Sequence, residues 1–203
     1  MSTSFFQGTK VLTPFKIAVF ASGGGGNFRA ILESKKLSNV TVSYLLVDRE
    51  CGAIGVAREF GIPVKVINCK KENEDSESDW RRVLVEPVDL IVLAGFIPLV
   101  PAWICQQWKG KIINTHPSLL PKYGGRGMVG VKVQEAVMAS GEEFAGCTVH
   151  YVDEGVDTGE IIAQRSILVD YSETPWQLGG RVFHAETLLL PEVIYELSQT
   201  RGH

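Results

Sequence analysis

The chain is poor in the features that mark several specialised protein classes. It has only 4 cysteines, and Cys51, Cys69, Cys105 and Cys147 stand far apart, with no C-x-x-C pair and no Cys/His cluster. That excludes a disulfide scaffold or a zinc site and leads us to expect reduced thiols in a cytoplasmic protein, with no metal. An excess of positive charge is missing too. Lys+Arg 20 against Asp+Glu 23 gives a net charge of −3, the wrong sign for a chain that grips nucleic acid by its phosphates. No apolar run approaches the roughly 18 residues that span a bilayer, so no membrane partner is expected. Residues 1–15 contain Phe5-Phe6 but neither a basic n-region nor an apolar h-region, which argues against a secretory signal. Repeats, low-complexity tracts and Ser/Gly linkers are absent as well. With 203 residues, the chain reads as an N-terminal extension, 1–15, followed by a single domain, 16–203.

What is present is alternation. Lys16 to Ala21 is a short apolar run that stops at glycines, the pattern of a buried strand, and Phe28, Ile31 and Leu32 then recur at helical spacing. Thr41 to Val47 reads as a second strand. Ala53 to Phe60 reads as a helix closed by Gly61 and Pro63. Val64 to Ile67, Asp89 to Ala94 and Lys111 to Asn114 supply three more strands, the middle one apolar at nearly every position, as a strand covered on both faces should be. Strands alternating with helices predict an α/β fold with a doubly wound, mostly parallel sheet. Cys147 to Val152 and Ile161 to Val169 alternate apolar and polar residues, which predicts an antiparallel C-terminal extension with one wet face. Thr174-Pro175 is an N-cap and first-turn pair for a last helix burying Val182, Leu189, Val193 and Leu197, with Pro191 expected to kink it. The charged run from Asn68 to Arg82 reads as a solvated loop and helix start.

Ser22-Gly23-Gly24-Gly25-Gly26-Asn27 joins the first strand to the first helix. Glycines there let a ligand approach the backbone N–H groups, and the helix aims its positive end at the same spot, which suits a phosphate. Asn27 can cap the helix or touch a ligand hydroxyl. No lysine follows, so this is not a P-loop, and G-x-G-x-x-G fails because Phe28 or Arg29 stands where the third glycine belongs. Asp48 lies near the distance of a ribose-binding acid, which keeps a nicotinamide cofactor open as an alternative, along with a turn that binds nothing.

Asn114-Thr115-His116-Pro117-Ser118-Leu119-Leu120-Pro121 is the most informative stretch. Asn114 and His116 are two apart at a strand end, so their side chains leave one face about 7 Å apart. An amide donor beside an imidazole suits acyl transfer, the amide stabilising an oxyanion and the imidazole handling a proton. A structural histidine at a strand end is the plain alternative. A carboxylate from the loop Asp153 to Gly159 would fix the His116 tautomer and favour the imidazolium. That loop lacks the EF-hand pattern, and a solvated turn is its other reading. No Gly-x-Ser-x-Gly elbow and no paired cysteine offers a nucleophile, so direct transfer is the simpler chemistry.

Taken together, the glycine loop, Leu93-Ala94-Gly95-Phe96, the Asn114 to Pro121 stretch and the Asp153 to Gly159 loop resemble, in this order, the formyltransferases that use 10-formyltetrahydrofolate. The likeness runs from about Lys16 to Ser198. It implies a Rossmann-like formyltransferase fold and transfer of a formyl group from 10-formyltetrahydrofolate to the amine of phosphoribosylglycinamide, in purine synthesis. Asn114, His116 and Asp157 match the catalytic trio, with Asp157 preferred to Asp153 because it precedes Thr158-Gly159. Gly25, Gly26, Asn27 and Glu186 match positions that hold the ribonucleotide. Ile97, Pro98, Leu99 and Val100 occupy the segment that holds the folate, with Asn114 touching it as well. His150 matches a histidine near the site, and Lys122 and Tyr123 continue the proline loop. Small-molecule partners and a monomer or homodimer follow. A tRNA-directed member would carry an additional C-terminal domain, and a deformylase an N-terminal regulatory one. The chain departs from the family at Gly24 and Gly26, where others carry asparagine or serine. It departs again at Pro98, where an arginine is frequent, and over Tyr123 to Met128.

Overall fold

The computed structural model describes residues 13–69 and 74–200. The extension 1–15 therefore lies outside the described residues up to position 12, as do positions 70–73 of the charged run. Seven strands form one sheet: β1 (Phe15–Ala21), β2 (Val40–Val47), β3 (Val64–Val66), β4 (Leu90–Leu93), β5 (Ile112–His116), β6 (Phe144–Tyr151) and β7 (Ile161–Leu168). Their order is β3-β2-β1-β4-β5-β6-β7. β1 to β5 pair parallel, while β6 pairs antiparallel with both β5 and β7. The alternation of strand and helix demands this, because a crossover between parallel strands needs a helix lying on a face of the sheet.

The helices cover both faces. α1 (Gly26–Glu33), α2 (Gly52–Glu59), α5 (Val131–Ala139) and α6 (Pro175–Thr200) bury Phe28, Ala53, Val137 and Leu178 against Ile17, Val19, Leu45 and Ile113. On the other face α3 (Glu74–Val83) and α4 (Ala102–Gln107) bury Trp80 and Ile104 against Ala18, Phe20, Ile91 and Ile112. The buried aromatics Phe20, Trp80 and Phe96 pack tilted or edge to face, with ring centroids 5.5 Å apart for Phe20 and Phe96. Phe96 thereby anchors the chain just before the exposed Ile97.

Several expectations change in detail. β6 starts at Phe144 rather than Cys147 and is buried on both faces, not one. It lies between two strands, and α6 packs on it. Its Thr148 hydroxyl donates to the Ser118 carbonyl and accepts the Leu120 N–H. β7 is the half-wet strand. α6 opens with reciprocal bonds: the Gln177 N–H donates to Thr174 Oγ1 at 3.3 Å and the Thr174 N–H donates to Gln177 Oε1 at 2.8 Å. It runs on through the buried Pro191 to Thr200. The charged run is more than a solvated loop, because α3 turns Trp80 and Val83 into the core.

Candidate functional site

β1 lies between β2 and β4, so the chain leaves the carboxyl ends of β1 and β4 in opposite directions and opens a crevice there, the usual ligand site of such sheets. Two loops meet across it. The Ser22 N–H donates to the Gly95 carbonyl at 3.0 Å, and the Ile97 N–H donates to Ser22 Oγ at 2.9 Å. The resulting cavity, about 1050 Å³, is lined by the glycine turn, the 93–102 segment, Asn114 to Pro117, Gly125 to Gly130, the 152–157 loop, His150, Phe183 and Glu186.

At one end the site is backbone. Gly25, with φ 81, caps α1 in the left-handed region, and a side chain there would also meet the Ala53 Cα at 2.7 Å. The Ala53 N–H at the start of α2 holds the Gly23 carbonyl at 3.0 Å. A Cβ on Gly26 would lie 2.3 Å from Cζ of Phe183, so Gly26 is small because that ring covers it. The first-turn N–H groups of α1 have no partner within the helix, the arrangement that suits an anion. Asn27 does not cap the helix, since it is the second helical residue. Its Nδ2 instead reaches Glu186 Oε2 at 3.5 Å, and its Oδ1 is buried without a partner.

Glu186 joins this end to the other. Its Oε1 accepts from Thr115 Oγ1 at 2.9 Å, Thr115 pointing from β5 toward α6. Burial pushes the Glu186 carboxyl up to about 6, against the hydrogen bonds from Thr115 and Asn27.

At the second end the strand alternation turns Asn114 and His116 to the opposite face from Thr115. Asn114 pairs in register with His150 on β6. Nδ1–H of His150 donates to the Tyr151 carbonyl at 2.8 Å, so Nε2 is the acceptor and takes one Nδ2 hydrogen of Asn114 at 3.2 Å. That orients the amide and leaves its second hydrogen for a ligand oxygen. Burial holds the His150 pKa below its ordinary value and favours the neutral ring this bond needs. The Asp157 carboxylate stands between the two imidazoles, 3.4 Å from His116 Nδ1 and 3.7 Å from His150 Nε2. It sits at φ 57, a region aspartate tolerates, and takes the Gly125 N–H at 3.0 Å. Nε2 of His116 reaches the Tyr123 carbonyl at 2.9 Å. Both nitrogens of His116 thus face acceptors, an arrangement an imidazolium satisfies completely.

Asn114, His116 and Asp157 are therefore brought together, and Gly25, Gly26, Asn27, Glu186 and Ile97 to Val100 line the same cavity. Asp153 is turned inward on its own loop, accepting from Gly155 and Thr158. Asp48 does not line the cavity. Burial would raise its pKa, but hydrogen bonds from Arg49 and Ser22 outweigh that and hold it below the usual carboxylate range. The acid a nicotinamide ribose would need is thus committed elsewhere. The roles of Phe183 and Thr115 carried no signal in the sequence, because α6 and β5 meet only in the fold. Among the described residues no group of three or more His, Cys, Asp or Glu is placed to hold a metal ion.

The model of the formyl transferase family matches residues 15–194. Over 193 residues the chain is 41% identical to a protein of Arabidopsis thaliana named phosphoribosylglycinamide formyltransferase, chloroplastic, covering 92% of this chain and 66% of that one. A Vigna unguiculata protein of the same name is 42% identical over 192 residues, covering 92% and 62%. The chain thus spans less than two thirds of the length of these curated relatives. A crystal structure of phosphoribosylglycinamide formyltransferase from Anaplasma phagocytophilum is similar with a TM-score of 0.81 and 32% identity, covering 92% of this chain and 88% of that one. The chain belongs to the formyl transferase family.

Proposed function

We propose that the protein transfers a formyl group from 10-formyltetrahydrofolate to the amine of 5'-phosphoribosylglycinamide, with residues 16–203 as one catalytic domain. The observation that carries this reading is the row of Asn114, His150, Asp157 and His116 in one cavity with a glycine turn at a helix N-terminus. The residues fit both ligands. The cavity, about 1050 Å³, is at the top of the range for small-molecule sites, which run to about 1,000 Å³. The Gly25-Gly26 backbone admits a phosphate, and the buried, unpartnered Asn27 Oδ1 awaits a donor such as a ribonucleotide hydroxyl, with Glu186 beside it. Ile97 and Leu99 are exposed along one wall and give an apolar bed for the folate ring, with Pro98 and Val100 between and beyond them.

The folate supplies the formyl carbon, which the substrate amine attacks. Asn114 donates its free amide hydrogen to the formyl oxygen as negative charge grows there, and His150 keeps the amide turned that way. The His116 imidazolium adds a positive charge held in place by Asp157 and the Tyr123 carbonyl. Because both ring nitrogens of His116 are engaged, a water molecule passes the proton from the attacking amine to the folate nitrogen as the old carbon–nitrogen bond breaks. The reading takes the cytoplasm as the compartment, supported by four free cysteines, and small molecules as the partners of a monomer or homodimer. The test is an absorbance assay for tetrahydrofolate release with and without phosphoribosylglycinamide. Release that requires the ribonucleotide is expected. Release without it would show a hydrolase and overturn the reading.

A further inference from the structure

His116 and Asp157 are both held by one short turn. The Tyr123 carbonyl accepts from His116 Nε2 at 2.9 Å, and two residues on, the Gly125 N–H donates to Asp157 Oδ2 at 3.0 Å. A side chain on Gly124 between them would meet Leu120 Cδ2 at 2.6 Å and the Asp157 Cβ at 3.3 Å, so the turn lies tight against the aspartate. Tyr123 sits at φ 57, a left-handed conformation that a bulky residue keeps only where its surroundings impose it. Those surroundings lie outside the cavity, since Lys122, Tyr123 and Glu142 do not line it. The Tyr123 ring packs against the core, and its hydroxyl donates to Glu142 Oε1 at 2.9 Å. Lys122 Nζ reaches the two Glu142 carboxylate oxygens at 2.8 and 3.1 Å. Hydrogen bonds from Lys122 and Tyr123 hold the Glu142 carboxyl below the usual carboxylate range, which keeps it ionised. The Lys122 side chain is 65% exposed, so its ion pair contributes little, and the partly buried tyrosine bond is the stronger link. Glu142 stands between α5 and β6, with Tyr171 Oη donating to its carbonyl at 2.8 Å.

We propose that Glu142 is a positioning residue for formyl transfer, acting through the Tyr123 hydroxyl to hold the Tyr123 carbonyl on His116 and the Gly125 N–H on Asp157. The inference rests on the formyl-transfer reading, and its test has one readout in turnover and one that needs no substrate. In steady-state kinetics, Glu142→Ala and Tyr123→Phe should each lower kcat about tenfold, the scale of one hydrogen bond to a charged group. The KM for each substrate should stay within about twofold, because neither residue touches the cavity. The double variant should be no slower than either single one, since both remove the same link. Glu142→Gln, whose amide oxygen can still accept the tyrosine hydroxyl, should keep turnover within about threefold of wild type. In NMR of isotope-labelled histidine rings in the ligand-free protein, His116 should show a ring N–H signal protected by the Tyr123 carbonyl, assigned by its loss in His116→Ala. Glu142→Ala and Tyr123→Phe should lose that signal. Should Glu142→Ala not fold, Tyr123→Phe, which removes a single oxygen atom, makes the same test. Unchanged kcat in an active enzyme, additive losses in the double variant, or a ring signal that persists in both single variants would each overturn the inference alone. A wild type that releases no tetrahydrofolate would sink the formyl-transfer reading itself, and the inference with it.

Discussion

The two ends of the cavity are built by opposite means. At Gly23 to Asn27 the protein offers backbone: a left-handed Gly25, a Gly26 kept bare by Phe183, and the unpaired N–H groups of a helix start. At the β5–β6 end it offers four side chains in a row, neighbours standing 3.2–3.7 Å apart. A backbone site depends on shape, so it tolerates changes of side chain that leave the turn intact. A site made of linked side chains loses its charge pattern when any member goes. On the proposed reading, departures at Gly24 and Gly26 are compatible with anion binding, while loss of Asn114 should not be tolerated.

The largest effect should therefore come from the side-chain end. Asn114→Ala should lower kcat by about 10²–10³ through loss of the oxyanion donor, with the ribonucleotide KM little changed. Steady-state kinetics checks this, and a turnover within threefold of wild type would break the contrast. Glu186, which ties the two ends together, comes next. A carboxyl raised from 4.5 to about 6 by burial costs about 2 kcal/mol while ionised. With the folded pKa above the unfolded one, the glutamate costs nothing below pH 4.5, and its penalty grows as pH rises through about 6. Glu186→Gln should thus match wild type in urea unfolding at pH 4.5 and exceed it by about 2 kcal/mol at pH 7.5, while binding the ribonucleotide more weakly.

At the backbone end the effects are smaller and sharply placed. Gly26→Ala forces its Cβ into the Phe183 ring, and the ribonucleotide KM should rise about tenfold with kcat nearly kept, a displacement of the turn being worth about 1.4 kcal/mol. Adding Phe183→Ala should restore most of the loss, because it empties the space the new methyl needs. Gly24→Ala meets nothing within 4 Å, so its KM should stay within about twofold, as surface substitutions do. If Gly24→Ala proved as harmful as Gly26→Ala, the turn would be reading side-chain space rather than backbone shape.

Much of this was legible in the residues. The strand runs are short and apolar, and the stops at the glycines after Ser22, at Gly61 and at Pro63 are local signals, so β1, β2, β4 and α2 could be read within a residue or two, and α1 could be placed after the glycines though not bounded. α4 and α5 could not. Ala102–Gln107 is a single short apolar run with no helical period, and Val131-Lys132-Val133 opens α5 with the alternation of a strand. At the site, Asn114 and His116 share a face because they are two apart on a strand, a fact of period alone.

By itself the sequence determined the alternation of strands and helices, the glycine turn after β1 and the polar pair at the end of β5, because all of these depend on neighbours a few positions apart. Tertiary structure alone decided that His150 lies across from Asn114, that Asp157 stands between two imidazoles, that Phe183 covers Gly26, and that burial raises Glu186. Those facts come from strand register and from α6 packing across the sheet. Apart from His150 and Asp157, which share one loop end, those contacts join residues 36 to 159 positions apart, and they leave no period in the chain that makes them.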